Sequence, residues 1–232
     1  RGYSRYLTTM CTSKKFPPAR QEKQSETLNR LVCITNRHLF EHIETAGGQP
    51  SFLARLERIA AAHPAAIVLR EKDMEEGAYE ALAREVQAIC LRHQVSFIAH
   101  TFVGVAAHLG ADALHLPLPL LRRLRESRAA LPAHLGTSCH SLEDVREAER
   151  LGCSYLIAGH IYATSCKPGL PPRGLAFLRA VTAAAHLPVY AIGGITPMRL
   201  AEILAAGAAG GCAMSSLMQG NLWLPEIPEN NR

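Results

Sequence analysis

No C-x-x-C pair occurs among the seven cysteines, which stand at positions 11, 33, 90, 139, 153, 166 and 212. Their odd number and scattered spacing exclude a disulfide framework and a cysteine zinc site, and fit a reducing compartment. No apolar run approaches the roughly 20 residues of a membrane span, and none near the start has the form of a secretory core. The dinucleotide fingerprint G-x-G-x-x-G is missing too. The body of the chain also has no excess positive charge. Residues 1–30 hold seven Lys/Arg against Glu22 and Glu26, the whole of the net +5, and residues 31–232 carry 18 basic and 18 acidic side chains. A neutral body excludes a nucleic-acid groove, which needs a basic stripe. Together these absences predict a cytoplasmic protein that engages neither nucleic acid nor membrane.

Residues 1–30 are polar and show no sustained apolar period. They read as a disordered basic leader or an artefact of the gene start, with a basic, hydroxyl-rich targeting arm as the rival. Residues 31–232, within a chain that is 48% hydrophobic, suffice for one domain with a sizeable core.

That body alternates short apolar runs with helical patterns. Strand-like runs are LVCIT (31–35), AIVLR (66–70), VSFIA (95–99), ALHL (113–116), LGTSC (135–139), SYLIAG (154–159), PVYAI (188–192) and GGCAM (210–214). Between them lie stretches such as SLEDVREAERLG (141–152), where Leu142, Val145, Ala148 and Leu151 recur at helical spacing. Ser141 with Asp144 three residues on resembles a capping box, with Asp in place of Glu or Gln. Gly110, Gly152 and Gly207 close helices. Eight strands interleaved with helices predict an α/β fold, the (β/α)8 TIM barrel, with an open doubly wound sheet as the rival. Only SSLMQGNLWLPEIPENNR follows the eighth strand, so the last helix is expected to be short or irregular.

Catalytic groups of such barrels sit where strands run out into the following loops. Those ends collect Arg70-Glu71-Lys72, His100, His115, His140, His160 with Thr164 and Lys167, Gly193-Gly194, and Ser215-Ser216. The loops after strands seven and eight are the usual barrel phosphate site, built from backbone amides and a helix start. Gly193 and Gly194 let the backbone approach a ligand, and Thr196-Pro197 starts the next helix. Lys167 and Thr164 lie in reach of an anion, although a lone loop lysine is ordinarily just solvated. By composition alone the Arg70–Lys72 cluster reads first as surface charge, and its rim position adds a second reading, a clamp for an anionic substrate. His140 is open to three readings: core filler, metal ligand or proton carrier. Imidazole changes protonation near neutral pH, which suits the last. Cys139 alternates to the opposite side of the strand, so it does not pair with His140 as a nucleophile.

In order and spacing, these segments resemble the thiamin phosphate synthase/TenI superfamily over roughly residues 30–217. The matching motifs are R-E-K (70–72), G-A-D-A-L-H-L (110–116), G-T-S-C-H-S (136–141), G-H-I-Y-A-T-S-C-K (159–167), A-I-G-G-I-T (191–196) and A-M-S-S (213–216). The resemblance implies a homodimer and a phosphate-bearing thiazole ligand held by Thr164, Lys167, Gly193, Gly194, Ser215 and Ser216. Arg70 and Lys72, in its R-E-K motif, are expected to bind substrate. The synthase branch joins a pyrimidine diphosphate to a thiazole phosphate with Mg²⁺. Its I-N-D-R segment is I-A-H-T here (98–101). Its H-L-G-Q-E-D is H-L-P-L-P-L (115–120), and its pyrimidine-contacting Gln is Val68. Both metal carboxylates are thus replaced, and no metal or other cofactor is expected. The wording around His140 and in 159–167 is similar to the TenI branch, the thiazole tautomerases, whose acid/base histidine maps onto His140. The expected function is aromatisation of a carboxylated dihydrothiazole phosphate by a 1,3-proton shift. The alternatives are the synthase reaction and a thiazole-phosphate-binding regulator without activity.

Overall fold

Eight parallel strands close on themselves in chain order, in a computed structural model that describes residues 28–40 and 51–220. A 3₁₀ turn over Leu28–Arg30 leads into β1 (Leu31–Ile34), followed by β2 (Ala66–Leu69), β3 (Ser96–His100), β4 (Ala113–Leu116), β5 (Leu135–Cys139), β6 (Tyr155–Gly159), β7 (Val189–Ile192) and β8 (Gly210–Ala213). The described helices are α1 (Arg37–Phe40), α2 (Phe52–Ala61), α3 (Glu76–Arg92), α4 (Val103–Leu109), α5 (Leu118–Glu126), α6 (Leu142–Arg150), α7 (Gly174–Ala184), α8 (Pro197–Ala205) and α9 (Ser215–Met218). Val32 of β1 pairs with Cys212 of β8 and closes the ring. The fold is therefore the expected (β/α)8 barrel, and its last described helix is short, with four residues. Of the expected leader, residues 1–27 lie outside the described residues, as does the end from residue 221.

The strands read as continuous apolar runs because a helix-wrapped parallel barrel buries both their faces. Alternate residues form two layers. Leu31, Cys33, Ile67 and Leu69 pack outward against the helices. Val32, Ile34, Val68, Ile98, Tyr155 and Tyr190 fill the barrel interior. On β5 this alternation sends Thr137 and Cys139 outward, and Gly136 and Ser138 inward. Cys139 is fully buried in the outer layer, and burial pushes its thiol up to about 12. It takes no part in a pair with His140.

The start of α6 carries the chemistry expected of it. Ser141 Oγ accepts from the Asp144 amide at 3.1 Å. Asp144 Oδ2 in turn accepts from the amide of His140 at 2.7 Å. The box therefore reaches back one residue further than the usual pattern, onto the amide before the cap.

A buried cation fastens the end of the barrel. Arg55 of α2, 6% exposed, donates from Nε to the Leu217 carbonyl at 2.7 Å, and from Nη2 to the carbonyls of Leu217 and Gly220. Leu217 lies in the last turn of α9 and Gly220 just beyond it, where a positive charge is favoured. Arg55→Met removes the donors and leaves buried acceptors behind, so it is expected to cost about 2–4 kcal/mol. Urea unfolding of the two proteins measures it; a loss below about 0.5 kcal/mol would show the anchor to be idle.

Candidate active site

The inward-facing rule places the site. Ser138 of β5 pairs with Ile157 of β6, and Cys139 with Ala158. One step on, His140 arrives beside Gly159 at the rim, exposed, with Nδ1 2.8 Å from the Gly159 carbonyl oxygen. A carbonyl only accepts, so the neutral ring carries its hydrogen on Nδ1 and keeps its lone pair on Nε2. That nitrogen has no hydrogen-bond partner among the described residues. Asp144 holds the backbone of the same residue from α6. A main-chain carbonyl therefore fixes the ring orientation of His140, and the Asp144 carboxylate fixes its backbone.

A cavity of about 1100 Å³ opens at this end of the barrel. It is lined by every residue singled out from the sequence: His140, Arg70, Lys72, Thr164, Lys167, Gly193, Gly194, Ser215 and Ser216. The R-E-K cluster divides. Arg70 and Lys72 face the cavity, whereas Glu71 is 2% exposed and does not line it. Thr35 Oγ1 donates to Glu71 Oε1 at 2.6 Å, and the Arg37 amide donates to both its oxygens at 3.1 Å. Glu71 thus holds the loop after β1, acting on Arg70 only through its nearby charge and not through a salt bridge. Burial lowers the affinity of Arg70 and of Lys72 for their protons, and Arg70 and Lys167 lower that of Lys72 further. The three form a cluster of like charge, and none makes a salt bridge among the described residues. Such a cluster favours an anion beside it.

Opposite lies the glycine pair after β7. Gly193 and Gly194 have φ of 100° and 65°. A Cβ on Gly193 would stand 2.4 Å from His160 Cβ, and one on Gly194 2.8 Å from the Ala163 carbonyl oxygen. Left-handed backbone and close contact both require glycine there. Arg199, in the first turn of α8, donates to the Gly194 carbonyl at 2.7 Å and lies over the Tyr162 ring at 4.3 Å. Ser215 and Ser216 begin α9 alongside.

His100 and His115 lie deeper. They pair across β3 and β4, and their rings stack with centroids 5.5 Å apart. Burial holds His100 down at about 2 and His115 at about 3, with further lowering by Arg70 and Lys72. Both rings are neutral at ordinary pH. His160 has Nε2 3.3 Å from the Leu170 carbonyl oxygen. The sequence did not single out Arg122, Arg199 or Ser138 as separate site residues, yet all three line the cavity. Ser138 had a signal: it shares the face of His140 two residues earlier on a strand.

A magnesium site of the kind the synthase branch implies does not fit these residues. His100 and Leu120 stand at the two carboxylate positions, and an imidazole and an isobutyl group are poor partners for a hard cation. Asp144 is the one carboxylate lining the cavity among the described residues, and it is engaged by the His140 amide. Nor do three or more His, Cys, Asp or Glu come together as a metal cluster among the described residues. No described helix is long and apolar enough to cross a membrane.

The architecture is similar to that of thiamine phosphate pyrophosphorylase from Pyrococcus furiosus, with a TM-score of 0.69 at 24% identity over 85% of this chain and 91% of that one. In sequence, the chain is 34% identical to thiamine-phosphate synthase of Moorella thermoacetica over 74% of this chain and 82% of its relative. It is 33% identical to thiamine-phosphate synthase of Salinispora arenicola over 82% and 90%. The model of the family described as thiamine monophosphate synthase matches residues 31–217, from the first strand to the helix that follows the eighth, and the chain belongs to that family of thiamine-biosynthesis enzymes.

Proposed function

We propose that the protein is a thiazole tautomerase, which aromatises a carboxylated dihydrothiazole phosphate with His140 as the proton carrier. The observation that carries this reading is the His140 ring: its Nδ1–H is committed to the Gly159 carbonyl, and its Nε2 lone pair is left for a ligand in the cavity. The backbone and hydroxyls of Gly193, Gly194, Ser215 and Ser216, with Thr164, would hold the phosphate and so set the ring against the imidazole. Nε2 takes the proton from the ring carbon bearing the carboxylate. The electron pair of that C–H bond spreads through the conjugated system toward the carboxylate and the exocyclic alkene. Arg70, Lys72 and Lys167 stabilise that charge. The imidazolium then returns a proton to the exocyclic carbon, the ring becomes aromatic, and His140 is again neutral. The step needs no oxidant and no net proton.

The names of the relatives favour a second reading, transfer of a pyrimidine group from its diphosphate to a thiazole phosphate. Against it stand His100, Leu120 and Val68 at the positions of the two metal carboxylates and the pyrimidine contact. One purified sample separates the two. In EDTA, with the carboxylated dihydrothiazole phosphate, thiazole absorbance is expected to rise. With pyrimidine diphosphate, thiazole phosphate and Mg²⁺, no thiamin phosphate is expected. The converse pair of results would assign the synthase, and binding without turnover in either assay would assign a regulator.

A further inference from the structure

Below His140, on the same inward face of β5, the Ser138 hydroxyl belongs to a chain that the proton shift leaves unused. Ser138 Oγ lies 3.1 Å from His115 Nε2, and His115 Nδ1 lies 3.2 Å from the Tyr155 phenol oxygen. The three residues come from adjacent strands β5, β4 and β6. They run from the barrel interior, where Tyr155 is 1% and His115 3% exposed, up to the cavity wall that Ser138 lines.

A buried neutral imidazole offers one N–H and one lone pair. Burial, with Arg70 and Lys72 nearby, keeps His115 neutral, and burial keeps the Tyr155 phenol protonated. Two arrangements satisfy the chain. In the first, His115 Nδ1–H donates to the phenol oxygen and the Ser138 hydroxyl donates to Nε2, so that Ser138 presents only lone pairs to the cavity. In the second, the phenol donates to Nδ1, Nε2–H donates to Ser138 Oγ, and the serine hydrogen is released to the cavity. An anionic group accepts hydrogen bonds and donates none. The Arg70, Lys72 and Lys167 cluster draws such a group into this cavity, and its arrival selects the second arrangement.

We infer that Ser138 is a specificity-determining donor to the carboxylate of the ligand, and that His115 and Tyr155 are positioning residues that turn its hydroxyl outward. The inference rests on the tautomerase reading for the identity of that carboxylate. It is consistent with that reaction, because the carboxylate and the departing hydrogen share one ring carbon, and Ser138 and His140 share one strand face.

Calorimetry tests it with two stable ligands, the aromatic thiazole carboxylate phosphate and the same thiazole phosphate without the carboxylate. Ser138→Ala is expected to weaken the carboxylated ligand about tenfold and the other by less than about twofold. Tyr155→Phe, which keeps the ring, is expected to weaken the carboxylated ligand about threefold, with Ser138→Thr near wild type. In the wild-type complex with the carboxylated ligand, ¹⁵N shifts of labelled histidine are expected to show His115 protonated on Nε2. Equal losses for both ligands, or an Nδ1–H tautomer in that complex, would overturn the inference. Should Tyr155→Phe fail to fold, Ser138→Ala and the tautomer decide. Neither readout needs turnover. A failed tautomerase assay with ligand discrimination intact would therefore remove the reaction and leave the carboxylate site.

Discussion

His140→Asn is expected to lower tautomerase turnover by about a thousandfold while changing KM by less than about threefold. The substitution is chosen for what it keeps. An Asn amide can still donate to the Gly159 carbonyl, and the backbone bond to Asp144 does not involve the side chain. The groups after β7 and β8 that we propose hold the phosphate lie on other strands. What disappears is the basic nitrogen, since an amide neither accepts a proton near neutral pH nor returns one. The loss should therefore fall on kcat, the signature of an interaction made in the transition state. Turnover within about tenfold of wild type would dismiss His140 as the proton carrier and direct attention to His100, His115 and His160, the other imidazoles that line the cavity.

The second large effect concerns the fold. Gly136→Ala is expected to destabilise the barrel by about 3 kcal/mol, at the upper end of ordinary overpacking. A Cβ at 136 would stand 2.0 Å from Tyr155 Cζ and 2.4 Å from both Cε atoms. The ring has nowhere to go. It is buried, sits edge-on to Tyr190 at 6.3 Å, and meets His115 through its hydroxyl. A melting temperature about 10 °C lower is the expected reading, and a fall under about 2 °C would mean that the interior is looser than its contacts imply. Gly136→Ala combined with Tyr155→Leu is expected to cost less than the two single changes added together, because the second change makes room for the first.

How far the sequence discloses the molecule depends on range. Buried parallel strands announce themselves as apolar runs such as AIVL and YLIAG, since both faces are covered, and eight of them between helical patterns restrict the architecture to very few folds. Strand ends are less clear. Thr35 reads as the last residue of LVCIT, but β1 stops at Ile34 and the Thr35 side chain turns to Glu71. Site residues carried by a local signal were visible: a glycine pair before a helix start, or a histidine at the end of a strand. Contacts that depend on stagger between strands were not. That His115, Gly136 and Tyr155 lie level, so that the His115 ring meets the Tyr155 hydroxyl and reaches Ser138 two residues further along β5, follows from the closed register of β4, β5 and β6, which no single segment encodes. Arg199 escaped notice for a related reason, since its reach to the Gly194 carbonyl depends on how α8 leaves the rim.

The partner that orients His140 is a main-chain oxygen, and this bears on how the site withstands mutation. The contacts expected of a synthase are each made by one side chain, and a single codon change erases one of them. No codon change removes the carbonyl of residue 159. Substitution there is itself opposed, because a Cβ would fall 2.5 Å from the Ile192 carbonyl oxygen. In a gene that accumulates substitutions, the side-chain contacts of such a site are therefore more easily lost than the aim of the imidazole.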